Sequence, residues 1–298
     1  MTRKVNLDGI ESAPRWIVMF LGAYSIVHLF VLYLWNAAGQ AFSIQGTSDG
    51  TSALSVTGMA AVGLWLCLVA LRSFPKGAKL RSAWVLMTIA AAAQTAWGVL
   101  AQLPGTGLTG QIRMATLIAG GPMRLAVLAA AMLAVLRILR KFGFQSRPSA
   151  TDWAVSGIAG LFTLCRFGEA AMASLAGKSP GVDNWISLSG LPILCVLLFE
   201  AMLLRQSVLR MGNGLIARCW IALVWGILLT GAGELALWVI PHDLQSLPLA
   251  MFGTLFRLPI AAAFALVPAY QVAAQRRATH PAGGQPEDLP AGVPALAR

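Results

Sequence analysis

Charge is what this 298-residue sequence most lacks: Asp, Glu, Lys and Arg supply only 11% of it, against about 25% in an ordinary soluble domain. The shortage excludes a water-soluble globule, because 22 basic and 11 acidic residues cannot clothe a chain that is 57% hydrophobic. Lysine is scarcer still. Lys4, Lys76, Lys79, Lys141 and Lys178 all fall outside the long apolar runs, which removes the buried Schiff-base lysine a retinal protein needs. Of three histidines only His28 lies in such a run, so paired axial haem ligation is excluded and metal binding would require an unusual ligand set. The four cysteines, Cys67, Cys165, Cys195 and Cys219, show no C-x-x-C spacing and sit in apolar surroundings. They read as small hydrophobes, not as a disulfide framework or zinc site. H-E-x-x-H and G-x-S-x-G are missing, and no aspartate falls within an apolar run, which demotes several classes of membrane enzyme. No cofactor is expected.

What the sequence has is length without polarity. Crossing about 30 Å of hydrocarbon at about 1.5 Å per residue takes some 20 residues. Eight runs qualify: 16–35, 52–71, 83–103, 114–136, 153–175, 185–204, 219–240 and 247–270. They lack strict alternation, and in lipid every backbone donor must be satisfied within the segment, so they predict helices rather than barrel strands. The expected fold is all-α, a polytopic transmembrane helical bundle. Its divisions are a cytoplasmic segment 1–15, an eight-helix domain 16–278 and a disordered tail 279–298, rich in Pro, Gly and Ala. Trp16, Trp35, Trp84, Trp153, Trp185, Trp220 and Trp238 fall at or near run ends and read as headgroup-level anchors. The first run resembles a signal peptide in following a basic N-terminus, but its 20 residues exceed a usual signal core and it reads as a span.

The net charge of +11 would suit nucleic acid if it were gathered on a soluble face. Instead it lies between the spans. Alternate connections together with the two termini hold 17 Lys and Arg, whereas the opposite set holds only Arg113 and Lys178. Basic residues stay on the cytoplasmic side, so both termini are expected in the cytoplasm, in a bacterial inner membrane, with the basic excess meeting anionic headgroups of the lipid bilayer. No nucleic-acid partner is needed.

A weak internal repeat pairs Gly98 with Pro122, Gly168 with Pro192, and Gly233 with Pro259, at spacings of 24, 24 and 26 residues. It suits duplicated helical hairpins with bends at similar depth; coincidence in a chain of 30 Gly and 15 Pro is the competing account. Small residues crowd 90–93, 129–131 and 261–263 and recur at Gly226, Gly231 and Gly233, which predicts close helix packing and offers a homo-oligomer contact. Ser187 to Gly190 reads as a helix-terminus hydrogen bond, His28 as a polar interhelical contact, and His242 as an exposed turn residue.

The informative residues are the ionisable ones inside spans: Arg124, Arg166, Glu169, Glu200, Glu234 and Arg257. Placing an Arg or Asp at the centre of a membrane helix costs about 2.5–3.5 kcal/mol on insertion scales, so these side chains should meet one another or a wet cavity. Counting from run ends puts Arg124 and Arg257 about 15 Å from the outer side, and Arg166, Glu169 and Glu234 about 20–24 Å from the inner side. Glu200 lies deeper toward the cytoplasm, within reach of Arg205, and is set apart. One reading makes the five an interhelical network that locks register. The other makes Arg124, Arg166, Glu169, Glu234 and Arg257 a ligand-binding site. There the arginines hold a small anionic or amphipathic molecule, and Glu169 or Glu234 carries a proton, for transport or sensing. An accessory subunit of a membrane complex would have the same composition. A membrane enzyme using Glu169 or Glu234 as acid or base on a lipid-borne substrate is the further alternative.

Overall fold

The computed structural model describes residues 12–37, 44–102, 107–144, 147–177, 182–239 and 253–279. Most of 1–15, almost all of 279–298, and the calls on Lys178 and His242 lie outside these residues. Within them the chain is helical and no strand forms. The helices are α1 (Ala13–Ala37), α2 (Ile44–Ser73), α3 (Arg81–Ala101), α4 (Gly107–Lys141), α5 (Ala150–Leu175), α6 (Val182–Leu209) and α7 (Leu215–Val239). A five-residue π-helical turn (Gly253–Arg257) then leads into α8 (Leu258–Thr279). All eight helices contain a stretch long and apolar enough to cross a membrane, and the chain is an integral membrane protein on that ground.

Six of the eight form a closed ring in the order α2, α3, α4, α6, α7, α8 and back to α2, each packed on the next. The other two stand outside it: α1 lies against α8, and α5 against α6. Small residues set the close approaches. A Cβ on Gly63 would sit 3.4 Å from the Ala265 backbone, and one on Gly226 would sit 3.3 Å from the Phe264 ring, so α8 meets α2 and α7 at positions where bulk has been removed. The helix ends follow local chemistry. After α4, Gly143 takes φ 85°, a conformation a side chain would strain, and the Phe144 N–H donates to the Leu139 carbonyl at 3.1 Å to close the helix. At the start of α5, the Asp152 carboxylate accepts from the Ser149 N–H at 2.6 Å while Ser149 Oγ accepts from the Asp152 N–H at 3.3 Å.

Two sequence expectations change here. Trp84 and Trp220 are not headgroup anchors. They are 0% and 1% exposed, with rings 6.3 Å apart across the ring of helices and Phe74 stacked on Trp84 at 6.0 Å. Their positions near helix starts match an interfacial anchor, but helical phase turns both indoles inward. Trp16 and Trp153, at 63% and 61% exposed, do face outward. The hairpin repeat is also uneven. Pro122 and Pro192 lie well inside α4 and α6, whereas Pro259 is the second residue of α8, directly after the π-helical turn. Gly98 faces Thr57 of α2, whereas a Cβ on Gly168 would meet open space.

Candidate functional site

The connections that carry most basic residues mark one end of the bundle, called here the basic-loop end. Measured along their own helices from that end, Trp97, Arg124, Arg166, Glu169 and Glu234 lie about 24–29 Å away, in the far half of the spans. Four helices bring them there: α3, α4, α5 and α7.

Arg124 of α4 is the centre of the arrangement. Its guanidinium lies over the Trp97 ring of α3, 4.1 Å from the centroid, and donates from Nη1 to Gln94 Oε1. Trp97 and Gln94 are three residues apart and so share a face of α3. Together they present a π-face and an acceptor to one cation, an arrangement suited to arginine in a desolvated setting. Gly120, one turn before Arg124, keeps this seat open: a Cβ there would come within 3.0 Å of Trp97 Cδ1. Arg124 Nε is buried and has no hydrogen-bond partner. Glu234 of α7 lies within electrostatic reach of Arg124 and, more weakly, of Arg257 and Arg166.

The second group lies on α5. Arg166 Nη1 donates to Glu169 Oε2 at 2.7 Å, an i,i+3 ion pair whose side chains are 25% and 49% exposed. The other carboxylate oxygen of Glu169 accepts from Trp238 Nε1 of α7 at 2.9 Å, and the Trp238 ring meets Phe162 edge-on at 5.5 Å. Trp238 thus ties the outlying helix α5 to the ring at the level of the charges. Arg257 ends the π-helical turn; the wider backbone of such a turn is frequent at functional positions. Glu234 is the residue that joins both groups and Arg257 electrically.

Glu200 is separate, but for another reason than the sequence suggests. It is 7% exposed, its Oε2 has no hydrogen-bond partner, and Arg205 points outward on the next turn. His28 stacks on Tyr24 within α1 at 5.4 Å. Cys67 and Cys219 are buried, Cys195 is half-buried and Cys165 is exposed; all four are free thiols. The described residues hold no group of three or more His, Cys, Asp or Glu side chains able to hold a metal.

Three participants were not singled out from sequence. Gln94 and Trp97 carry no charge and were passed over, although a glutamine in a run of alanines within a span is itself a signal of polar contact. Trp238 was read only as an interface marker. Asp152 was placed one residue before its span, yet it is fully buried, capping α5 and accepting from the Gln206 amide of α6. No family model, curated protein or solved structure matches this chain.

Proposed function

We propose that this integral membrane protein lies in a bacterial inner membrane, with both termini cytoplasmic. In this reading it binds, and transports or senses, a small anionic or amphipathic molecule at Arg124, Arg166, Glu169, Glu234 and Arg257. The observation that carries the reading is the seat of Arg124. A guanidinium held in a span by an indole face and an amide, with one N–H left over, is pre-organised to receive a further acceptor, and Glu234 alone does not balance the three arginines around it. Three guanidiniums against two carboxylates leave one positive charge, which a bound anion neutralises. A network serving only as interhelical glue would gain from equal numbers, because an excess charge in hydrocarbon costs insertion energy without return.

The test is thermal unfolding of the purified full chain in mild detergent, titrated with inorganic phosphate and with short-chain carboxylates. Stabilisation that saturates for wild type and weakens about tenfold in Arg124→Gln supports the site; binding a folded state shifts its stability by mass action. Absence of any anion-dependent shift, together with a stoichiometric protein partner after purification, would replace it with the accessory-subunit reading.

A further inference from the structure

A cleft of about 200 Å³ opens between α5 and α7, with α6 as its floor. The reason for the opening lies in the packing: α5 rests on α6, and above that floor α7 presents Gly231 and Ala232, too small to fill the gap. The walls are apolar, among them Ile158 and Phe162 from α5, Leu194 and Leu198 from α6, and Leu235 from α7. Thr163 is the one hydroxyl in the lining, and it donates to the Ala159 carbonyl at 2.9 Å with Cys195 Sγ 3.1 Å away. An occupant is therefore offered contact surface and no hydrogen bond. Dispersion is forfeited wherever such walls face nothing, so the cleft favours hydrocarbon, and cavities of about 150 Å³ are known to hold a benzene ring.

The far end of the cleft is polar. Phe162 lines it and touches Trp238; Trp238 donates to Glu169, which is paired with Arg166, and Arg166 lies within electrostatic reach of Glu234, the neighbour of the cleft residue Leu235. Resting on the anion-site reading above, we infer that the cleft between α5 and α7 holds the alkyl chain of an anionic amphiphile drawn from the membrane, whose headgroup is received by the arginine-rich cluster above it. Apolar walls below and one excess positive charge above match the two halves of such a molecule. The outlying position of α5 gives a chain sideways access from lipid.

The probe is a single-chain lysophosphatidic acid carrying a photoreactive diazirine near its chain end, in phosphatidylcholine vesicles holding the full chain. A zwitterionic lysophosphatidylcholine of the same chain is the control. Peptide mapping should find adducts concentrated on the cleft faces of α5, α6 and α7 over the lipid-facing side of α1, and favouring the anionic probe. Filling the cleft from opposite walls, with Ala159→Phe or Ala232→Phe, should each lower those adducts about tenfold, the loss expected from displacing roughly two methylenes. Adducts spread evenly over lipid-facing helices, equal yields from both probes, or no response to either substitution would overturn the inference. Phosphate-dependent stabilisation of the same variants separates the two readings. If it persists without cleft labelling, the cleft inference alone falls; if both are absent in wild type, the anion site falls with it.

Discussion

The two ends of the bundle are built on opposite principles. At the basic-loop end, the ring of helices is plugged by Trp84 and Trp220, with Leu204, Val208 and Leu139 around them, each no more than 2% exposed. Toward the other end, the space between α3, α4, α5 and α7 is given to Arg124, Gln94, Trp97, Glu234, Arg166 and Glu169. The same type of side chain does different work in each. Trp84 and Trp220 fill volume, whereas Trp97 and Trp238 present a π-face and an N–H donor to charged groups. Close packing at one end and polar contacts at the other suit a protein that is sealed on one side and receptive on the other.

The all-or-none test of that comparison concerns which compartment each end faces. Reporter fusions after Lys79, Lys141, Arg210 and Arg277 should register in the cytoplasm and those after Leu103, Ala176 and Pro241 outside; an external C-terminus would reverse the sealed and receptive sides. Next in size is Trp84→Ala, expected to cost about 3–5 kcal/mol of stability in detergent because the void lies in a packed region. Anion binding by the remaining folded protein should be unchanged; a matching loss of binding would show that the two ends are one unit.

Within the receptive end, Glu234→Gln or Arg124→Gln alone should cost on the order of 3 kcal/mol by leaving an uncompensated charge, and the double variant should recover much of it. Glu200→Gln should combine additively with either, and by itself should leave thermostability level or raised, because it removes a carboxyl oxygen that has no partner. Additive losses for the Arg124 and Glu234 pair would dissolve the site. The smallest effect is that of Trp97→Phe, a weaker cation–π partner of similar shape, expected at about 0.5–1 kcal/mol and read as a modest loss of anion affinity.

How far the site was legible can be argued residue by residue. Arg124, Arg166, Glu169, Glu234 and Arg257 stood out because a charge in an apolar run is expensive, and that expense is visible without a fold. Gln94 and Trp97 were not singled out, since an uncharged side chain in a span carries little penalty and so little signal. Glu200 was called separate from the cluster on depth; its burial without a cation beside it depends on which face of α6 turns to its neighbours, which counting residues from a run end does not reveal. Trp84 and Trp220 show the same limit: position along the membrane normal follows from sequence distance, but direction around the helix does not.

By itself the sequence determined that the chain must be buried in lipid, that it forms eight apolar helices, and that a few charges are carried into the hydrocarbon against a cost. Those properties follow from solvation, which acts on each segment separately. Only the tertiary structure decided that six helices close a ring while α1 and α5 remain outside, that Arg124 sits on Trp97 and faces Glu234, and that a cleft opens beside α5. In lipid the tails are as apolar as leucine, so hydrophobicity does not choose one helix's partner over another. That choice falls to close contacts at Gly63, Gly226 and Gly231 and to polar links such as Trp238 with Glu169, which exist only once the helices have met.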